Sequence, residues 1–449
     1  MSNWKIMKLS EVATIVGGGT PSSSKSEYFE NGNIPWITPK DLSGYNKRYI
    51  SKGERNITEL GLKNSSAKLL PKNTVLLTSR APIGYVAIAS NEISTNQGFK
   101  SLVLNDGHIP EFFYYLLKNN VHILESRATG STFKEISGQI LKDTELSIPT
   151  PDIQQKIVDI LSPLDDKIEL NTQINQTLEQ IAQALFKSWF VDFDPVRAKV
   201  QALSDGLNLE QAELAAMQVI SGKTPEELTA LSQTQPNRYA ELAETAKAFP
   251  CEMVEIDGVE VPKGWKMKAL DEVANYQNGL ALQKFRPEND EPFLPVVKIA
   301  QLRQGYADGD EKAKVNIKPE FIIDNGDVVF SWSGSLLVDI WCGGKAALNQ
   351  HLFKVSSKEY PKWFYYFYTK HHLTEFQRIA YDKAVTMGHI KREHLSAAKC
   401  IVTNDELLAN KTLENILEKI IFNRLENFNL QNTRDLLLPR FLNGDIKNE

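Results

Sequence analysis

The segment WKIMKLSEVATIVGG, beginning at Trp4, returns as WKMKALDEVANYQNG from Trp265, 261 positions later. The same landmarks then follow in both copies. NIPWITPKDL (from Asn33) is answered by FLPVVKIAQL (from Phe293), and LLPKNTVLLTSR (from Leu69) by IIDNGDVVFSWS (from Ile322). TNQGF is answered by LNQHLF, IPEFFYYLL by YPKWFYYFY, and TGSTFKEI by AVTMGHI. Matches kept in one order over such spans mark a duplicated domain, and two copies make a pair of modules instead of a solenoid.

Within each copy, short apolar runs such as Val75 to Leu77 and Val328 to Phe330 are bounded by Gly, Pro, Asn and Ser, which predicts strands joined by turns. The aromatic runs Phe112 to Leu117 and Trp363 to Tyr368 follow a proline at a helix-start position, so they predict helices whose rings form core. The chain therefore belongs to the α+β class, with two repeated domains of small mixed sheets and helices.

A long helical segment follows each copy. Asp152 with Gln155 reads as a capping box, and Ser162, Pro163 and Asp165 read as the start of a second helix. That second helix carries Leu164, Asn171, Leu178 and Leu185 at sevens, with Ile174 and Ile181 between, the pattern of a coiled-coil seam. The tail offers Leu413, Leu417, Ile420, Leu430 and Leu437 as a matching stripe. Neither stripe can be buried alone, so the two helices are expected to pair antiparallel as a spacer between the modules. The expected organisation is a module at 1–150, central helices at 151–192, an acidic helical linker at 193–262, a second module at 263–404 and a C-terminal helix at 405–449.

Charge is sorted by the same boundaries. The whole chain carries a net charge of -5, which alone argues against a nucleic-acid partner. Yet residues 1–150 hold 17 basic against 13 acidic residues and 263–404 hold 20 against 16, so each module is at +4, while 151–192, 193–262 and 405–449 stand at -4, -7 and -2. Two parts of the chain are suited to a polyanion and the others are not. Cys251, Cys342 and Cys400 form no CxxC pair, and no apolar run approaches a membrane span. A cytoplasmic protein with reduced thiols and no membrane partner is expected.

The catalytic motifs fail one by one. GGGTPSSSK (Gly17 to Lys25) bunches its glycines and lacks the GK[ST] of a phosphate loop, so it reads as a turn at the lip of the module. Gly222, Lys223 and Thr224 match half of such a loop, but Met217 stands where its first glycine belongs, and Thr224, Pro225 and Glu227 read as a helix start. Pro151, Asp152, Asp165 and Lys167 fit a loose nuclease pattern, yet the aspartates read as helix caps. The chain has no Pro-Pro dipeptide and hence no adenine-methyltransferase NPPY motif, and no HExxH. The neighbours His371 and His372 diverge on a helix and read as a surface pair rather than a metal site.

WKIMKLSEVA, IPWITPKDL, NTVLLTSRAPIG, STNQGF, IPTPDIQQKIVDILSPLDDKIELN and ALFKSWFVDFDPVRAK together resemble the specificity subunit of type I restriction-modification enzymes, over nearly the whole chain except residues 200–262. The resemblance implies that each module is a target recognition domain reading one half of a bipartite double-stranded DNA sequence, and that the helices space the modules and dock two methyltransferase subunits and the restriction subunits. It implies no catalytic residue, metal or cofactor in this chain; the partner subunits use S-adenosylmethionine, ATP and Mg²⁺.

By position, Lys25, Lys40, Arg80, Gln97, Lys100 and Lys134 in the first module, and Lys284, Arg286, Arg303, Lys345, Gln350 and Lys391 in the second, are the expected DNA contacts, because Arg, Lys and Gln supply the donors and acceptors that phosphates and base edges require. Leu178, Leu185, Trp189, Phe190, Leu437 and Phe441 are the expected subunit contacts, the apolar LFKSWF end being either buried at the helix pair or covered by a partner. The competing readings are a stand-alone DNA nuclease or methyltransferase, and a scaffold whose two modules bind protein.

Overall fold

The computed structural model describes residues 4–80, 82–130, 134–288, 290–382 and 388–445. The chain divides into two compact units, one of residues 1–170 with 427–449 and one of residues 171–426. Two long helices, Pro151–Phe190 and Lys411–Leu442, each contribute one end to each unit.

In the first unit, the opening strand Trp4–Lys8 pairs antiparallel with the closing strand Glu145–Pro149. A five-stranded sheet runs in the order Ala13–Gly17, Lys100–Leu104, Val75–Ser79, Ile83–Ala89 and Tyr49–Ile50, its last pair parallel. A smaller sheet holds Arg55–Ile57, Ile34–Ile37 and Ser94–Thr95. Every side chain from Phe112 to Leu117 is buried, on helix Pro110–Asn119, which confirms the aromatic run as core.

The second unit repeats the plan. Lys266–Ala269 pairs antiparallel with Lys399–Val402. One four-stranded sheet holds Asn275–Asn278, Leu352–Ser356, Val328–Ser331 and Leu337–Ile340. Another holds Lys312–Lys314, Phe293–Val297, Ala346–Leu348 and Ile322–Ile323. The aromatic run Trp363 to Tyr368 is again entirely buried, here on the longer helix Lys362–Asp382. The motif pair TGSTFKEI and AVTMGHI falls partly outside the described residues, since 131–133 and 384–387 are not among them.

The glycine-rich segment at Gly17 to Lys25 now has a physical reason. A Cβ on Gly18 would stand 1.9 Å from the Asn96 carbonyl oxygen, and one on Gly279 would stand 2.2 Å from that of Asn349. Each glycine lets one backbone lie against the Asn-Gln turn of its module, so the requirement for glycine is steric.

The helices depart from expectation in three ways. Pro151–Phe190 is one helix of 40 residues with Pro163 inside it, so no second start exists at Ser162. Asp165 instead accepts hydrogen bonds from Tyr115 and Arg434, both at 2.6 Å. The pairing with Lys411–Leu442 is antiparallel as expected, but polar groups fix it: Asn427 donates to the Ile168 carbonyl in the first unit, while Asn171 donates to Glu426, and Asn175 to the Ile420 carbonyl, in the second. Ile181 is 44% exposed and lies off the seam, whereas Leu413, Leu417 and Ile420 are buried on it.

The segment 193–262 is more than a linker. Its helices Leu209–Ser221, Pro225–Thr234 and Pro236–Ala248 enclose Ala216, Met217, Leu228, Leu231 and Ala246, and a hairpin, Met253–Ile256 with Val259–Pro262, closes it. Lys199 is 1% exposed and donates to the carbonyls of Ala246 and Phe249, capping the last of these helices. The half-loop Gly222-Lys223-Thr224 is a junction between helices: Gly222 ends one at φ 66°, and Thr224 with Glu227 forms the capping box of the next. His372 stacks on Tyr368, and burial, aided by His371, pushes its pKa down to about 4, leaving a neutral ring beside the Lys399 carbonyl.

Gly18→Ala and Gly279→Ala are each expected to destabilise the chain by about 1–3 kcal/mol, the cost of overpacking. Gly17→Ala, whose Cβ would meet only the Lys100 side chain at 3.9 Å, should change stability by less than about 0.5 kcal/mol. Urea unfolding of the three variants decides this. Arg434→Ala removes one of the hydrogen bonds to Asp165, which keeps Tyr115 at 2.6 Å and Arg48 at 3.9 Å, and should cost about 1–3 kcal/mol on the same assay.

Candidate nucleic-acid interface

Three segments of each module meet at one junction: the end of a central strand, the Asn-Gln turn, and the loop that returns towards the closing strand. In the first module Gly18 N–H donates to the Phe99 carbonyl, Gly19 to Thr95, Asn96 to Ile37, Ser79 to Gly98, and Ile136 to Ser79. In the second, Gly279 donates to Leu352, Leu280 to Leu348, Asn349 to Val297, Trp332 to His351, and Ile390 to Trp332. The turn is closed alike by its asparagine, since Asn96 Oδ1 accepts from Gly98 N–H and Asn349 Oδ1 from His351 N–H. One hydrogen-bond framework is thus built twice.

Its side chains differ. In the first module Arg80 stands 3.5 Å from Glu135, whose carboxylate is also 3.8 Å from the Lys100 ammonium, and Gln97 bonds Thr20. Lys134 is exposed on the same loop. In the second, Ser333 occupies the place of Arg80 and bonds His351 Nδ1 at 3.0 Å, Gln350 occupies that of Gln97 with its Nε2 3.4 Å from His351 Nε2, and His389 occupies that of Glu135. The Trp332 ring lies 5.9 Å from His351 and 6.4 Å from His389. Among the described residues, Gln350 Oε1 is buried without a hydrogen-bond partner, which leaves an acceptor at the junction.

The junction gathers Arg80, Gln97, Lys100 and Lys134 in the first module and Gln350 in the second, with Lys391 two residues beyond His389. Arg303 lines a recess of about 460 Å³ together with Gly334, Gln377, Tyr381 and Gly388, next in sequence to Ser333 and His389. The remaining expected contacts lie apart from this framework. Lys25 bonds the Tyr28 hydroxyl, which raises its pKa, and Lys40 bonds Glu54 at 2.8 Å with the same effect. Lys284, Arg286 and Lys345 are exposed on connecting segments. The junction also holds Glu135, Trp332, His351 and His389, which the sequence reading did not single out. The match of KEI with GHI already held the signal for two of them.

Of the expected subunit contacts, Trp189 and Phe190 are 2% and 1% exposed, packed with Phe249, Trp265 and Trp363, so this chain already buries the area assigned to a partner. Leu185, Leu437 and Phe441 pack half-buried at core edges, and Leu178 is half-buried. The apolar groups that stand out on Lys411–Leu442 are Phe422, Phe428 and Leu436, at 57%, 40% and 71% exposed.

The family model described as the type I restriction modification DNA specificity domain matches residues 1–180 and 262–432, one match for each module with its adjoining helix. The chain belongs to this family. The HindI specificity subunit of Haemophilus influenzae is 38% identical over 99% of this chain and 100% of its own length. The MjaIX specificity subunit of Methanocaldococcus jannaschii is 32% identical over 100% of this chain and 94% of its own. The crystal structure of the type I restriction-modification S subunit from M. genitalium shares the fold, with a TM-score of 0.53 at 16% identity over 98% of this chain and 96% of that one. This specificity subunit is a DNA recognition component and not itself an enzyme. Among the described residues, no helix is long and apolar enough to cross a membrane.

Lys345 is exposed beside the strand Ala346–Leu348. If it meets a phosphate, Lys345→Ala lowers the slope of log affinity against log salt by about 0.9 and weakens all DNA sequences alike. Titrations of the assembled complex at several salt concentrations measure it.

Proposed function

We propose that this specificity subunit reads a bipartite double-stranded DNA target, one half at the junction of each module, within a cytoplasmic complex that holds two methyltransferase subunits and restriction subunits. The observation that carries the reading is the duplicated hydrogen-bond framework bearing unlike side chains. A shared backbone presents both modules to DNA in the same way, and Arg80, Gln97 and Lys100 against Ser333, Gln350 and His351 supply different donor and acceptor patterns for two different half-sites. The charge of +4 on each module suits the phosphate backbone. The helix pair serves as spacer, and its exposed Phe422, Phe428 and Leu436 offer apolar area to the methyltransferase subunits. Those partners use S-adenosylmethionine for methylation, and the restriction subunits use ATP and Mg²⁺.

Because Trp4–Lys8 and Glu145–Pro149 pair with each other, the first module begins and ends at one place and can be replaced as a unit. Exchanging residues 1–150 for those of a relative with a different target should change one half of the methylated sequence and leave the other intact. Mapping of methylated adenines across a genome carrying the hybrid system reads the result. A scaffold that binds only protein leaves both halves unchanged.

A further inference from the structure

We infer that Glu135 is a specificity-determining residue of the first module, acting with Arg80 on one G·C base pair, and that His389 holds the corresponding place in the second. The inference rests on the reading of the junctions as DNA-facing and deepens it. The two residues occupy one framework position: Ile136 donates to the Ser79 carbonyl and Ile390 to that of Trp332, both at 3.0 Å, and each preceding residue bridges the strand end, Glu135 to Arg80 and His389 to Ser333. The backbone is therefore fixed by main-chain bonds that any side chain would leave in place. Glu135 N–H and carbonyl are also both bonded to Thr129, at 2.9 and 3.0 Å. At this matched place the side chain changes from a carboxylate to an imidazole.

The carboxylate makes only long contacts with the cations beside it. It is 37% exposed, and its contacts with Arg80 and Lys100, at 3.5 and 3.8 Å, are long for charged hydrogen bonds. A carboxylate turned towards a polyanion is repelled unless it accepts a hydrogen bond there. In the major groove the exocyclic amino group of cytosine N4 is the partner suited to Glu, and the guanine O6 and N7 acceptors are suited to the Arg fork. Arg80 and Glu135, side by side, match the two edges of one G·C pair, while Ser333 and His389 cannot reproduce that pattern. A carboxylate at this place also excludes bases that present only acceptors, so it acts against wrong targets as well as for the right one.

The test is Glu135→Gln in the assembled methyltransferase complex, with the methylated sequences mapped genome-wide and affinities measured on duplexes varied at each half-site position. Gln keeps the shape and can still accept from Lys100, and Glu135→Asp serves as a second variant should Gln unfold the module. The expected result is loss of preference at one G·C position of one half-site, by at least about tenfold, with the other half unchanged. An unaltered target with full methylation overturns the inference, as does a uniform loss at all targets or relaxation at an A·T position. Relaxation in both halves, or none on exchange of the whole module, overturns instead the modular reading on which it rests.

Discussion

Each module is closed by the pairing of its first strand with its last, Trp4–Lys8 with Glu145–Pro149 and Lys266–Ala269 with Lys399–Val402. A sheet segment so closed brings the entry and exit of some 140 residues to one place, next to the helix that follows. The short helices Leu9–Val12 and Leu270–Val273 sit directly after the opening strands and bury their Leu and Val, so the closure is sealed by apolar contact as well as by main-chain bonds. Everything further into the module, including the junction of three segments, is hung on that closure.

The helix pair meets a different constraint. A leucine stripe buries area but tolerates sliding, since every turn offers much the same surface. Polar partners do not tolerate it: moving the helices by one turn would separate Asn171 from Glu426 in one unit and Asp165 from Arg434 in the other. Asn171 is 1% exposed, so losing Glu426 would cost it a hydrogen bond at a place shielded from water. The register is set by these groups in the way that a single buried Asn sets that of a coiled coil.

The two modules repeat a backbone and not all of its side chains. The main-chain bonds around the Asn-Gln turn recur bond for bond, and the glycines Gly18 and Gly279 are kept for the same steric reason. The side chains there share the asparagine and the glutamine and differ at Arg80 against Ser333 and Glu135 against His389. A backbone framework held in common while its side chains vary presents different donor and acceptor patterns in the two modules.

The sequence by itself determined the duplication, the α+β class, the buried aromatic helices, the antiparallel partnership of the two long helices and the lack of a phosphate loop, because repeats, caps and apolar periodicity are local signals. It also placed Arg80, Gln97, Lys100 and Gln350 within or beside matched motifs of the two copies. Only the tertiary structure decided that Pro163 lies within a continuous helix: Asp165, which resembles a cap in sequence, is bonded to Tyr115 and Arg434, far along the chain. Only it showed that Trp189 and Phe190 are core, since the aromatics that cover them come from residues 249, 265 and 363. And it alone set Glu135 between Arg80 and Lys100. Such groupings depend on which distant segments meet, and that is fixed by the closure of the fold and not by any window of the sequence.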